Sequence, residues 1–212
     1  VGIMEGYQGL MDGNLVDFST GDVSNVIAKG GTMLYTARAT EFKEQSGMEK
    51  ALKTIKDNQI DGIIAIGGDG TFRGATDLSI RGIPTIGIPG TIDNDITSTD
   101  YSIGFDSALN TTMHMIDNLR DTCESHARCD VVETMGRNAG WLTGASVLSR
   151  CEDCEGVDLI YMPEIPFDIE AFKKKVGELF ETKKGIVIAV SEGVKTADGQ
   201  YVFELADHTE FV

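Results

Sequence analysis

The chain has no apolar run approaching the roughly 20 residues of a membrane-spanning helix, so no membrane partner is expected. It is short of positive charge: 18 Lys and Arg stand against 34 Asp and Glu, a formal net charge of −16 at pH 7. That balance argues against nucleic acid or an anionic membrane surface as a general partner. An acidic protein that takes an anionic substrate must gather its cations locally, so single arginines carry more weight here. Cysteine is scarce, with four in 212 residues, too few for a disulfide scaffold. Cys151-Glu-Asp-Cys154 has the spacing of metal ligands, and Cys123 and Cys129 flank His126. Reduced thiols on helices are the plainer expectation. The opening Val1-Gly-Ile-Met has no basic segment and no long apolar core, so no signal peptide is expected. It reads as a strand entered partway through a fold. A cytoplasmic location fits these features. There is no internal repeat, no low-complexity tract and no Pro/Gly/Ser linker.

What is present alternates. Apolar, Ile- and Val-rich runs of strand length occur at 60–66, 83–88, 129–134, 157–162 and 185–190, with a shorter one at 1–4. Helical patterns separate them. Met48, Leu52 and Ile55 share one face of a helix reaching about residue 58, and Ser46 with Glu49 has the form of a capping box. A helix is expected at 71–80. Another at 107–122 carries Leu109, Met113, Ile116 and Leu119 at helical spacing. Further helices are expected at 137–150 and after Asp168, an N-cap residue. Residues 5–13 read as a glycine-rich turn, 23–28 as a short helix, 32–36 as a β-prone run and 194–212 as polar and less regular. Strand–helix–strand order with crossovers of this length implies parallel sheets covered by helices. The α/β alternation restarts after a long polar loop near 101–106. Two parts are therefore expected, touching and sharing a cleft.

Two loops follow strand-like runs, where open α/β sheets take their ligands. Gly67-Gly-Asp-Gly-Thr71 supplies glycines that let backbone N–H groups approach phosphates. Asp69 within it could hold Mg²⁺, or simply cap the next helix. Thr91-Ile-Asp-Asn-Asp95 places Asp93 and Asp95 two apart, on one side of an extended segment. One could take a proton while the other holds a metal, although such clusters are also common in turns. Arg38 could neutralise a transferring phosphoryl group, or be a solvated surface residue. Arg128 and Arg137 flank a strand. Arg137, read as opening a helix, would be favoured there by a nearby anion. Glu192, at the end of the last clear strand, could bind sugar hydroxyls. His126 could donate to a phosphate or be an ordinary core or surface residue. Together these suggest metal-assisted phosphoryl transfer.

At these residues the chain closely resembles the ATP-dependent 6-phosphofructokinase family of the bacterial type. The matching segments are GGTMLYTAR (30–38), IGGDGTFRGA (66–75), GIPGTIDNDITSTDYSIGFDSALN (87–110), RDTCESHARCDVVETMGRNAG (120–140) and VIAVSEG (187–193). Lipid and NAD kinases share a GGDGT-like loop but lack the TIDND run and the MGR turn. The resemblance implies two Rossmann-like three-layer α/β/α domains with mainly parallel sheets and a cleft between them. Residues 1–104 would bind nucleotide and 105–212 fructose 6-phosphate. It implies that Asp93 is the base for the sugar 1-hydroxyl, with Thr91 beside it. It gives ATP contacts to Arg38, Ala39, Gly68, Asp69, Gly70 and Thr71, with Arg38 also stabilising the transferring group. Asp69 and Asp95 would serve Mg²⁺. Thr91, Met135, Gly136, Arg137 and Glu192 would contact fructose 6-phosphate, and Arg128 would reach the sugar phosphate of a neighbouring subunit. That last role requires an oligomer, by resemblance a homotetramer. Arg120, Asp158 and Lys183 fall at or near effector positions.

Pyrophosphate-using relatives have a carboxylate where Gly70 stands and a lysine where Gly90 stands, so ATP is the expected donor. Val1 falls well inside the family pattern, and further N- and C-terminal segments of that pattern have no counterpart here. The segment from Trp141 to Gly156 departs from the usual version, and one effector arginine is replaced by Thr20. The alternative expectation is a non-catalytic fragment that binds nucleotide or sugar phosphate weakly.

Overall fold

The computed structural model describes residues 1–152 and 154–205. The chain forms two compact units, Val1–Ile88 and Pro89–Val212, which counts the loop 89–104 with the second unit. The stretch 194–212, expected to be polar and irregular, lies partly outside the described residues.

In the first unit β1 (Gly2–Ile3) pairs antiparallel with β2 (Leu15–Val16), and α1 (Tyr7–Asp12) runs between them. The expected turn at 5–13 is thus a short helix. Gly9 lies within it because an added Cβ would overlap the carbonyl of Met4. The helix stops at Gly13, whose φ of 69° gives the left-handed close that glycine adopts at no steric cost. α2 (Gln45–Asp57) begins one residue before Ser46. The Ser46 hydroxyl donates to Glu41 Oε1 at 3.2 Å rather than capping, so no capping box forms. Met48 and Ile55 are buried as their spacing predicts, joined by Leu10, Met11, Phe42, Ala51 and Leu78. Burying Leu10 and Leu78 almost completely contributes about 1.5–3 kcal/mol each.

The short helix expected at 23–28 and the strand expected at 32–36 are instead turns and irregular chain. Val23 is 45% exposed and Ile27 fully exposed, so no apolar burial offsets the entropy of ordering them. β3 (Ile63–Gly67) pairs with β4 (Thr85–Pro89), and α3 (Asp69–Ile80) connects them. Ile63 and Ala65 are buried, while Ile64 and Ile66 point the other way and are about two-thirds exposed. Among the described residues the covered face of this sheet is the one that carries Ile63 and Ala65.

In the second unit α4 (Phe105–His126) leads into a three-stranded parallel sheet of order β5–β7–β6. The strands are β5 (Cys129–Thr134), β6 (Leu159–Tyr161) and β7 (Ile186–Ser191). Central β7 is buried on both faces: Val187 and Ala189 pack with Ile116 and Cys123 of α4, and Ile186 and Ile188 opposite are equally inaccessible. The buried stripe of α4 runs through Ile116, Arg120 and Cys123, so Leu119 is exposed and a charged residue takes an inner place. The helix expected at 137–150 is only α5 (Trp141–Ala145) followed by a 3-10 turn, Ser146–Ser149. α6 (Ile169–Phe180) starts where expected, with Asp168 Oδ1 accepting from the amides of Glu170 and Ala171 at 2.9 and 3.0 Å. Of the four cysteines only Cys123 lies on a helix; Cys129 opens β5, and Cys151 and Cys154 lie in a loop.

Candidate active site

In the first unit the glycine-rich loop becomes the first turn of α3. Gly68 is the N-cap, and Asp69, Gly70 and Thr71 are the first three helical residues. The first helical hydrogen bond runs from the Phe72 amide to Gly68 O, at 3.1 Å. The amides before Phe72 therefore have no partner within the helix, and they sit at the positive end of its dipole. Such a terminus receives phosphate oxygens. Asp69 does not cap the helix; it pairs with Arg73 one turn on, at 2.8 Å, with both side chains more than half exposed. An exposed pair of this kind holds by about 0.3–0.5 kcal/mol, so Asp69 is readily given up to a cation.

Tyr7, within the stretch 5–13 expected to be a turn, braces this loop. Its hydroxyl donates to Thr71 O at 2.6 Å, and its ring stacks on Phe42 at 4.2 Å. Gly74 gives the ring its place, since an added Cβ would lie 2.7 Å from Tyr7 Cζ. Burial, and then the charge of Asp77, push the Tyr7 hydroxyl up to about 12. Phe42 belongs to the 3-10 turn Thr40–Lys43 that follows Ala39, which packs against the same core. Arg38 is exposed and follows no strand. No periodicity could have found Tyr7, because α1 is too short to show one.

In the second unit Asp93 is half-buried and Asp95 exposed. The expected extended segment is broken at Asn94, whose φ is 52°. Asn94 Oδ1 accepts from the Ser102 amide at 2.9 Å and so ties down the loop 94–102. Burial first, and then the charge of Asp95, hold the Asp93 carboxyl above the usual carboxylate range. A hydrogen bond with Thr91 opposes this, and Glu192 adds to it. The charges of Asp95 and Glu192 thus both act on the Asp93 carboxyl.

Glu192 and the turn at 135–137 leave the C-terminal ends of the neighbouring strands β7 and β5, and the two ends are laced together. The Glu192 amide donates to Thr134 O at 3.0 Å, and Glu192 Oε1 accepts from the Gly136 amide at 3.3 Å. Ser191 Oγ donates to Gly136 O at 2.7 Å and accepts from the Gly193 amide at 3.1 Å. Gly136 is buried at φ 126°, while Met135 and Arg137 are exposed. Arg137 precedes α5 by four residues and does not open it; its guanidinium lies 5.4 Å from the Tyr201 ring centroid. A Cβ at Gly193 would overlap the carbonyl oxygen of Arg137. Gly193→Ala is therefore expected to push the 135–137 turn away and cost about 1–3 kcal/mol, read as a lower urea midpoint. An unchanged midpoint would show that the turn yields freely.

The other end of this sheet carries different residues. Arg128 is exposed just before β5, with the six residues of that strand between it and the Met135 turn. A six-residue strand spans about 20 Å, so Arg128 stands apart from Glu192 and Gly136 of its own chain. His126 ends α4 at the same end, exposed, with a ring nitrogen 2.9 Å from Ser125 Oγ. Arg120, Asp158 and Lys183 are brought together there. Arg120 Nη1 donates to Asp158 Oδ2 at 2.9 Å and to Gly156 O at 2.6 Å, and Nη2 donates to Glu155 Oε2 at 2.8 Å. Lys183 reaches Asp158 Oδ1 at 2.7 Å and also bonds Glu155. Asp158 Oδ2 takes the Val187 amide at 2.8 Å. Arg120 Nε lies 3.3 Å from Glu124 Oε1, within Coulombic reach but misaligned for a hydrogen bond. Glu155, which the motifs did not single out, already occupies the cations that an outside anion would seek.

The strand-end loops and partly parallel sheets define an α/β protein with an open helix N-terminus in one unit and carboxylates at the strand ends in the other. The phosphofructokinase pattern matches residues 1–211. An ATP-dependent 6-phosphofructokinase of Halothermothrix orenii is 47% identical over 196 residues, 92% of this chain and 58% of that protein. One from Listeria welshimeri is 41% identical over 211 residues, 99% of this chain and 64% of that protein. Pichia pastoris phosphofructokinase in the T-state matches with a TM-score of 0.79 at 33% identity, covering 94% of this chain and 24% of that one. The chain belongs to the phosphofructokinase family, as its motifs led us to expect. It spans 58–64% of the length of the curated relatives it matches.

Proposed function

We propose that this chain, within its full-length protein, carries phosphoryl transfer from MgATP to the 1-hydroxyl of D-fructose 6-phosphate, giving fructose 1,6-bisphosphate. The observation that carries the reading is Asp93: a half-buried carboxyl held above the usual carboxylate range by burial and then by the charges of Asp95 and Glu192. A carboxylate whose proton affinity is raised is better suited to take a hydroxyl proton. In this reading the amides at 69–71 receive the nucleotide phosphates, and Arg38, with Ala39 beside it, faces the transferring group. Glu192, Met135, Gly136 and Arg137 hold the sugar phosphate. Arg128, set apart from its own chain's Glu192, serves the site of a second copy. This makes a homo-oligomer, by family a tetramer, part of the proposal. Arg120, Asp158 and Lys183 are proposed as an effector site where an anion would exchange with Glu155.

Magnesium fits the donors present. Among the described residues no group of three or more His, Cys, Asp or Glu gathers, so Asp69 and Asp95 would offer single carboxylates. One or two carboxylates plus nucleotide phosphates are the usual share for Mg²⁺. When bound, the ion supplies charge neutralisation along the phosphates.

A coupled assay of the full-length protein is expected to show ADP formed only when fructose 6-phosphate is present. Binding of both ligands without turnover would favour the non-catalytic reading. The donor has its own test. An added Cβ at Gly70 meets nothing within 4 Å, so Gly70→Asp should leave the fold intact. Its charge would face the nucleotide phosphates, and kcat/KM for ATP is expected to fall by about 100-fold. Equal use of ATP by the variant would remove Gly70 from the donor argument.

A further inference from the structure

The turn that leads into Glu155 holds two cysteines. Each backbone donates to the other: Cys151 N–H to Cys154 O at 3.0 Å, and Cys154 N–H to Cys151 O at 3.4 Å. A chain that closes a backbone bond from residue i+3 to residue i brings the two Cα atoms within about 7 Å. Disulfide-linked residues have Cα atoms about 4.4–6.8 Å apart. The backbone thus brings the pair near the range that a disulfide spans, and both sulfurs are free thiols, Cys154 Sγ lying 3.9 Å from Asp117 Oδ1. Cys151 is exposed and Cys154 partly so. Arg150 Nε donates to Glu155 O at 3.0 Å across the base of the turn, bracing the residues on either side of the pair.

The other cysteines do not compete. Cys123 is buried, its S–H directed to Arg128 O and Ile186 O at 3.1 and 3.3 Å. Cys129 begins β5, a separate element. Asp117 Oδ1 lies 3.9 Å from Cys154 Sγ, but among the described residues no group of three His, Cys, Asp or Glu forms that could hold a metal.

We propose that Cys151 and Cys154 form a reversible dithiol–disulfide site, oxidised by a small-molecule disulfide. The Cys151 thiolate attacks one sulfur of the oxidant, forming a mixed disulfide and expelling one thiolate. The Cys154 thiolate then attacks Cys151 Sγ, forming the intraloop bond and expelling the second half of the oxidant. The two cysteines lose two electrons, and their two protons end on the two departing thiols. The attack could equally begin at Cys154 with the same balance. The product is a small ring set directly before Glu155. Exposed disulfides of this kind are the readily reduced ones, so the step reverses with excess thiol.

The test uses the full chain, oxidised glutathione as probe, alkylation of remaining thiols, and peptide mapping. The expected product is a native-state peptide with both cysteines unalkylated and two hydrogens lost, in the parent chain and in Cys129→Ser alike. Reduced glutathione in excess should restore both thiols. Cys151→Ser should stop at a glutathione adduct on Cys154, and Cys154→Ser at an adduct on Cys151. Full alkylation of both residues after oxidation, linkage to Cys129, or linkage only after unfolding in urea would each overturn the proposal.

Discussion

Asp93→Ser in the full-length protein is expected to lower kcat by about 10²–10⁴-fold, the usual contribution of a positioned base. The KM for fructose 6-phosphate should change little. Gly136 and Glu192 make their own hydrogen bond across the strand ends and do not depend on Asp93. The pH profile carries a second signature. A base acts deprotonated, and Asp93 is held above the usual carboxylate range by burial and then by Asp95. The acid limb of kcat/KM should therefore lie above the ordinary Asp value of about 3.9. Asp95→Asn removes one of the charges that raise it, so that limb should move to lower pH. Stopped-flow or coupled assays across the acid range measure both effects. An Asp93→Ser enzyme within tenfold of the parent kcat would remove Asp93 from the base role.

The second large effect is on stability. Asp158→Ala is expected to cost about 3–5 kcal/mol, because it takes from a buried guanidinium its buried carboxylate partner and leaves it the more exposed Glu155 and the carbonyl of Gly156. The Arg120 side chain is 5% exposed and that of Asp158 is 1% exposed, and the same carboxylate also accepts the Val187 amide. Lys183 can still reach Glu155, so the loss falls chiefly on Arg120. The double variant Arg120→Met with Asp158→Leu should cost less than either single change. It leaves no unpaired charge, and a double-mutant cycle reads the coupling. A midpoint shift worth under about 1 kcal/mol for Asp158→Ala would mean that water reaches Arg120 freely.

The pH dependence of this network follows from its shifts. Burial alone would raise the Asp158 carboxyl, but hydrogen bonds from Arg120, Lys183 and the Val187 amide outweigh it and hold it below the usual range. A carboxyl depressed in the fold stabilises fully above its unfolded value, about 3.9, and loses that contribution as pH falls through the folded value. Hydrogen bonds to Asp158 and Glu155 raise Lys183. Its share is complete below about 10.4 and disappears as pH rises through the raised folded value. Urea midpoints followed downward from neutral pH should therefore fall more steeply for the parent than for Asp158→Ala.

Much of the candidate site is legible in the amino-acid sequence. The GGDGT and TIDND loops, the MGR turn and Glu192 all lie beside strands, because residues that leave a sheet at its strand ends are marked by an apolar run just before them. Asp168 and the stripe through Met48 and Ile55 are legible for the same local reason: caps and helical spacing are contained within a few residues. The expectations that fail are those where neighbours in space decide the outcome. Residues 5–13 form a helix because α1 packs on α2 and Gly9 fits under Met4, neither visible in a six-residue window. The stretch at 23–28 has helical spacing but finds nothing apolar to cover it. Arg120 falls at an inner position of α4, where its charge is tolerable only with Asp158, 38 residues away.

The sequence by itself determined the α/β class, the family, and the residue types at each loop, since these depend on periodicity and on motifs whose parts are adjacent in the chain. The tertiary structure decided which of those residues meet. It joined Glu192 to Gly136 and to the field around Asp93, set Arg128 at the opposite end of the sheet, closed Glu155 over Arg120 and Lys183, and brought the backbones of Cys151 and Cys154 together. Hydrogen bonds and charges act over a few ångströms of space, and only the folded chain sets those distances.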